Sequence, residues 1–349
     1  MNNQSTLPFK EVKKIMDFKN VYEKYKDKDL TCYQAAELLG YSERHFRRIR
    51  DRYEASHNEM MSLLDRRIGN KPANKIACDK VLEVLQLYKE KYYDFNAKHF
   101  HEKLKTQHNK TYSYNWTKNT LQKNGLLAKG KRKNVHRKKR DRRPMPGMML
   151  HQDGSRHLWI EDLEPLDLIV TMDDAHNQIY SMFLIAEEST QSTFFGLYET
   201  ISKHGLPSSF YTDRASHYIT TRNGKLDKSN PTQVGRALKQ LSIQAIYAYS
   251  PEARGRSERM FGTLQGRLPQ EFRINGIKSI KEANDFLKTK FIPEFNKVFM
   301  KKPIEEGDAF TPYVGRDLKD ILSIQNERVV RNDNTVSYNN LILQIPESK

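Results

Sequence analysis

Residues 250–265 read SPEARGRSERMFGTLQ, and the pattern in this stretch decides how the rest of the chain is read. Ser250-Pro251 followed by Glu252 is a helix-start signal, and Phe261, Leu264 and Leu268 recur at spacings of three and four. That predicts a helix laying one apolar stripe on a core. At about 100° per residue, Glu258 borders the stripe whereas Glu252 points nearly the opposite way. A carboxylate at the margin of a core face costs free energy unless a cation or a donor meets it. Around it stand Arg254, Arg256 and Arg259, the residue type that grips phosphate. One inward acid beneath a row of arginines suggests a metal ion and a phosphodiester. The plainer reading is a helix start that carries mixed charge.

The totals point the same way. A chain of 349 residues is too long for one ordinary core and suits roughly two to four domains. A hydrophobic fraction of 37%, with 16 Phe and 18 Tyr, is enough to build them and excludes a disordered protein. The formal net charge of +17 favours a polyanionic partner, and nucleic acid is the commonest. A membrane surface competes, but there is no basic amphipathic helix with a strong apolar face and no lipidation motif. Cys32 and Cys78 stand in unlike settings, which supports neither a disulfide framework nor a zinc site. No apolar run approaches the roughly 18 to 20 residues of a membrane span, and MNNQSTLPFK lacks a signal-peptide core. The expected place is the cytoplasm, on the nucleoid.

Upstream, the sequence predicts helices. In DLTCYQAAELLGYSERHFRRIRDRY, Thr31 can cap one helix that Gly40 ends, and Ser42 can cap a second whose apolar positions are Phe46, Ile49 and Tyr53. Two short helices about a tight turn resemble a helix-turn-helix, with Arg44, Arg47, Arg48 and Arg52 facing outward for groove and phosphate contacts. Helices expected over residues 75–93, 97–107 and 114–124 repeat the plan; the last presents Asn115, Lys118, Asn119 and Lys123. Between Lys129 and Arg143 lie ten basic residues and one acid, including Arg137, Lys138, Lys139 and Arg140. Such density forbids a compact core and predicts an extended linker that neutralises DNA phosphates. The expected division is a helix-turn-helix domain over 1–70, a second helical domain over 71–128, the linker over 129–146, a core over 147–300 and a small β-rich module over 301–349.

From Pro144 the character changes. The run MMLHQD reads as a strand ending at Asp153; residues 166–172 and 179–185 read as strands paired across the turn DAHN. A helix over 189–204, a strand ending at Asp213, a helix over 233–241 and the strand IQAIYAY lead into the opening stretch. Antiparallel strands first, then strands alternating with helices, predict a mixed α/β domain with helices on the faces of one sheet, and a ribonuclease H-like fold leads the candidates. Asp153, Asp213 and Glu258 then sit at comparable places. Converging carboxylates need cations, and hard oxygen ligands suit Mg²⁺ or Mn²⁺, two of which can serve an in-line displacement at phosphorus. No Ser-His-Asp or Walker-type motif appears.

The segments HQDGS, YTDRASH and SPEARGRSERMFGTLQ closely resemble the catalytic core of DDE transposases and retroviral-type integrases, in particular bacterial insertion-sequence transposases. The resemblance covers roughly residues 147–300. It implies that Asp153, Asp213 and Glu258 form the metal-binding triad, that double-stranded DNA (terminal inverted repeats and target) is the partner, that the chemistry is end cleavage followed by strand transfer, and that the protein works as a homo-oligomer on DNA. The spacing from Asp213 to Glu258 exceeds that of retroviral integrases, which the insert TTRNGKLDKSNP accounts for; Glu252 is nearer that spacing but faces the wrong way. Asp173 and Asp174 can approach the site, and a supporting structural role suits them better than metal binding. His151 and His217 are read as hydrogen-bonded structural histidines. The alternative function is a transposase-derived DNA-binding regulator without catalysis. Beyond Met300, ERVV, NTVSY and LILQI are strand candidates of the β module, which is either small or cut short at Lys349.

Overall fold

The computed structural model describes residues 9–64, 75–130, 141–222, 225–227, 230–248 and 255–346. Two compact units divide the chain, Met1–Lys80 and Val81–Lys349.

In the first unit, Thr31 and Ser42 cap as their chemistry predicts. Thr31 starts α2 (Cys32–Leu38) with a capping box closed by Gln34, and the Ser42 hydroxyl accepts from His45 N to start α3 (Glu43–Ala55). Gly40, at φ +67°, makes the turn between them. An additional helix, α1 (Phe9–Lys26), escaped sequence analysis because its apolar positions Ile15, Phe18 and Tyr22 are diluted by lysines. Phe18 and Tyr22 close the core over Ala35, Ala36, Phe46 and Tyr53, the alanines letting α2 approach closely.

The second unit opens within α4 (Cys78–Lys91), at Val81, and goes on through α5 (Ala97–Gln107) and α6 (Tyr114–Lys123), packed around Tyr88, Tyr92, Phe95, Phe100, Leu104 and Leu121. A five-stranded sheet follows, with strands β1 (Leu150–His157), β2 (Leu166–Asp173), β3 (Ile179–Ile185), β4 (Ser209–Thr212) and β7 (Gln244–Tyr247). Their order is β3-β2-β1-β4-β7; β1 to β3 are antiparallel, whereas β4 runs parallel to both β1 and β7. A two-stranded hairpin, β5 (Thr221–Arg222) with β6 (Lys225–Leu226), lies within the expected polar insert.

Alternation along β1 sorts its side chains to two faces. Leu150 joins Phe210, Phe194, Leu197, Val234 and Leu238 beneath α7 (Thr190–His204) and α8 (Gln233–Gln240). The opposite face, through Leu168, Val170 and Met172, packs on α9 (Gly255–Gln265), α10 (Leu268–Ile274), α11 (Ile280–Phe286) and α12 (Ile292–Phe299), the last two joined by a π turn. Helices on both faces of a mixed sheet are the architecture the sequence implies. On the α7 face Gly196 is obligatory in size, since a Cβ there would lie 2.9 Å from Thr171 Oγ1 and closer still to the Gln152 amide. The edge strand β3 is plugged by side-chain amides. Asn296 pairs with both N–H and C=O of Ile179, and Asn284 with both of Leu184, so these outward backbone groups are satisfied.

Three boundaries differ from expectation. β1 continues four residues past Asp153, because pairing with β2 runs unbroken from Leu150↔Asp173 to His157↔Leu166 and carries the polar DGSRH along. The linker is shorter at its C-terminal end, since Arg142 donates to the carbonyls of Asp174 and Ala175 and Arg143 N to the Asp174 carboxylate. Among the described residues ERVV has no ladder partner, and the C-terminal hairpin pairs β8 (Thr335–Tyr338) with β9 (Leu341–Gln344), after the short helix α13 (Leu318–Ile321).

Helices α4 to α6, expected as a domain of their own, share the sheet's compact unit. Polar bonds tie them to α10. Glu271, buried, is held by His99 Nε2 at 2.6 Å and by Lys103 Nζ at 2.8 Å, while Arg267 bonds Glu102 and Arg273 bonds Asp94. A carboxylate only accepts, so His99 must carry its proton on Nε2. Burial raises the Glu271 carboxyl, but His99 and Lys103 outweigh it and hold the group below its ordinary value; burial lowers His99. Removing one partner of such a set strands the others in a dry site. We therefore expect Glu271→Ala to destabilise the second unit by about 3 to 5 kcal/mol in chemical unfolding. Both shifts are downward, so their stabilisation is complete above the unfolded pKa values. In wild type it should fade as pH drops below 6.5 for His99 and again below 4.5 for Glu271; thermal unfolding against pH checks this, and in Glu271→Ala the fall below 4.5 should disappear while the one below 6.5 stays, since Glu271 raises His99.

Candidate active site

The parallel register pairs Leu150 with Phe210 and His151 with Tyr211. Carried two residues further, it sets Asp153 level with Asp213. β4 stops at Thr212, so this is where β1 loses its neighbour and a rim opens in the sheet. Asp213 turns the chain there, its Oδ1 accepting from Ala215 N at 2.9 Å. His151, Asp153 and Ser155 alternate onto the face that carries α9, and the His151 ring packs on Tyr211 at 4.7 Å on that same side.

Helix α9 is laid over this face by Ser257, Met260, Phe261 and Leu264, all buried. Its two margins are fastened to different strands. On one margin Arg256 makes an ion pair with Asp174, just past the end of β2. On the other, Gln265 Nε2 donates to Ser155 Oγ of β1 at 3.1 Å. Glu258 lies about 200° around the helix from Arg256 and within about 20° of Gln265, so it occupies the margin beside β1. The position at the border of the stripe is as the periodicity implied; the side chain itself is solvent-exposed rather than inward. The register thus sets Asp153 and Asp213 at one level of the sheet, and the pinning of α9 puts Glu258 on the helix margin beside β1. Among the described residues no three His, Cys, Asp or Glu side chains come close enough together to hold a metal ion.

Beneath the rim lies a polar layer that sequence reading missed. The Tyr218 phenol, fully buried, donates to Glu188 Oε1 at 3.2 Å and accepts from Thr193. Burial first, then the nearby carboxylates of Glu188, Asp213 and Asp153, push its proton affinity up. Glu188 reaches this place because position 154 has no side chain; a Cβ there would lie 2.9 Å from the Glu188 carboxyl carbon and closer still to Oε2. The only sequence signal was the glycine directly after Asp153, in the middle of what proved to be a strand.

Asp173 and Asp174 are both fully buried. Asp173 accepts from Gly147 N, Ala175 N and His176 Nδ1. Asp174 accepts from His151 Nε2 at 2.7 Å, from Arg143 N at 2.8 Å and from Arg256. Burial alone would raise the Asp174 carboxyl; the His151 and Arg256 bonds overcome it and hold the group far below the usual carboxylate range.

The expected DNA contacts divide. Arg44, Arg47 and Arg48 are exposed on α3, with Arg47 also bonded to Glu43 and Arg48 to His45. On α6, Lys123 is exposed and Lys118 half-buried against the Tyr114 ring. Arg259 is exposed, but Arg256 is committed to Asp174 and so differs from the open phosphate contact expected of it. Arg137, Lys138, Lys139, Arg140 and Arg254 lie outside the described residues.

No protein-family profile matches the chain. It is 32% identical over 333 residues to "Putative transposase y4bF" of Sinorhizobium fredii, spanning 94% of this chain and 72% of that protein. It is 33% identical over 172 residues to the transposase for insertion sequence IS1202 of Streptococcus pneumoniae, spanning 49% of this chain and 36% of that one. Among solved structures it is similar to a chain of the simian T-cell lymphotropic virus intasome in complex with PP2A regulatory subunit B56 gamma, at TM-score 0.36 and 18% identity over 58% of this chain and 66% of that one. It is also similar to the HTLV-2 integrase catalytic core domain in complex with magnesium, at TM-score 0.32 and 15% identity over 40% and 82%. With nearly all of its own length matched at 32% identity, and most of the relative's length covered, the chain belongs to the transposase family.

Proposed function

We propose that the protein is an insertion-sequence transposase that binds terminal inverted repeats and carries out metal-dependent DNA cleavage and strand transfer. The observation that supports this reading is the parallel register that sets Asp153 level with Asp213, together with the attachments of α9 that turn Glu258 to the margin beside β1. The donor set fits a divalent cation, since carboxylate oxygens are the hard ligands Mg²⁺ or Mn²⁺ take. Such ions, two in this reading, would supply charge neutralisation to the phosphoryl group in transfer. The chain itself supplies the three acids, the exposed Arg259 next to Glu258 for phosphate, and the strand and helix that carry them.

The helix-turn-helix role falls to α2 and α3, with Arg44, Arg47 and Arg48 on the exposed face of α3 as groove and phosphate contacts. Lys118 and Lys123 on α6 extend the contact, and Arg137, Lys138, Lys139 and Arg140 follow the DNA backbone. Joining two ends calls for more than one copy on DNA, so a homo-oligomer is part of the proposal. The non-catalytic regulator is less well supported, because a binding scaffold has no use for these three acids.

The decisive experiment incubates the protein with labelled duplex carrying the repeats that flank its gene, with Mg²⁺, Mn²⁺ or chelator. We expect nicking at the repeat end in either metal and none in chelator; tight binding without nicking in any metal would favour the regulator. Asp213→Asn should lose cleavage to background while keeping repeat affinity within about twofold, because the group sits apart from the binding helices in sequence and role. Affinity for the repeat duplex should fall steeply with salt. Replacing Arg137, Lys138, Lys139 and Arg140 by Ser should flatten the log–log slope by about 3 to 4, as expected for four lost phosphate contacts.

A further inference from the structure

The buried Asp174 carboxylate touches two of the elements that carry the proposed acids. On β1 it holds His151, two residues before Asp153 and on the same face by pleat alternation. On α9 it holds Arg256, two residues before Glu258. It also accepts from Arg143 N, where the basic linker meets the folded unit. Asp174 is itself fixed in place, because its own backbone N–H donates to Met149 O at 3.0 Å and its neighbour Asp173 is saturated by Gly147, Ala175 and His176.

The consequence is geometric. Helix α9 has freedom to slide and to roll on an apolar face, since apolar packing sets distance better than register. Gln265 to Ser155 fixes one end and one margin, and Arg256 to Asp174 fixes the other end and the other margin. The two attachments lie nine residues apart, about 13.5 Å along the axis, and together they leave one roll angle. That angle sends Glu258 to the β1 side. His151 meanwhile locks the stretch of β1 just before Asp153 to the same carboxylate, so that a single buried charge relates the strand acid to the helix acid.

We propose that Asp174 is a positioning residue that sets Asp153 and Glu258 relative to each other for cation binding. The inference rests on the reading of Asp153, Asp213 and Glu258 as the cation ligands. Arg256 is accordingly a structural partner of Asp174 rather than a phosphate contact, and its guanidinium serves because it bonds a carboxylate in the plane while remaining charged when partly dry.

The test uses the full chain bound to the repeat duplex and measures Mn²⁺ binding by titration with electron paramagnetic resonance, beside repeat affinity and circular dichroism. Arg256→Gln and Asp174→Asn should each raise the Mn²⁺ concentration for half-saturation about tenfold or more, as loss of an outer partner does in metal sites. Repeat affinity should move less than about twofold, and Arg256→Lys should recover most of the loss. The double variant should be no worse than the worse single one, the mark of groups acting through one another. Arg256 lies at the helix margin, so Arg256→Gln keeps the proposal testable should Asp174→Asn fail to fold. An Asp213→Asn arm separates the two readings. If it binds Mn²⁺ as wild type does, the ligand assignment fails; if it loses Mn²⁺ while a folded Arg256→Gln does not, the positioning role alone is overturned. Additive effects in the double variant would overturn it as well.

Discussion

Two adjacent carboxylates buried at the end of β2 set the terms for the second unit. A carboxylate withdrawn from water is costly unless donors meet it, and Asp173 and Asp174 each accept at least three hydrogen bonds, drawn from four separate stretches of chain. Gly147 and Arg143 come from the approach to β1, His151 from β1 itself, His176 from the turn, and Arg256 from a helix more than eighty residues further on. Hydrogen bonds have direction where apolar contacts do not, so these acids fix register and roll for elements that the hydrophobic core only brings together. A like device operates on the far side of the α9–α10 corner, where Glu271 gathers His99 and Lys103 and makes α5 part of the same body as the sheet.

The rim follows from strand lengths. β1 and β2 pair over eight residues, but β4 accompanies β1 over its first two alone. The flank of β1 left without β4 is where Asp153, buried, and Asp213, half-buried, stand at one level. Tyr218, Glu188 and Thr193 fill the space beneath with hydrogen-bonded polar groups, so the floor of the rim is stiff without being apolar.

Much of this was legible in the chain. Thr31 and Ser42 each precede an apolar repeat and each accepts the hydrogen bond expected of a helix cap, as Asn96 and Ser113 do in the structure; capping is a local matter of a side-chain oxygen and an N–H three residues away. The strands over 179–185 and 166–173, and the helix beginning after Ser189, were likewise written in short-range pattern. Helix α1 was hidden because only three of its residues are buried and lysines separate them. ERVV looked like a strand because β-branched residues favour extension, yet extension without a partner makes no ladder.

The sequence by itself determined the mixed α/β class, the basic helical region, the motif segments and the position of Glu258 at the margin of its helix, because each depends on periodicity or spacing within a few residues. Tertiary structure alone decided that β1 runs on past Asp153, that Arg142 and Arg143 belong to the folded unit, that Arg256 serves Asp174, and that Glu188 stands over Gly154. The strand extension depends on pairing with β2 across the intervening turn, and the other three depend on partners 31 or more residues away. A buried charge selects its partner by geometry across the fold, and no local pattern in the chain records which donor will arrive.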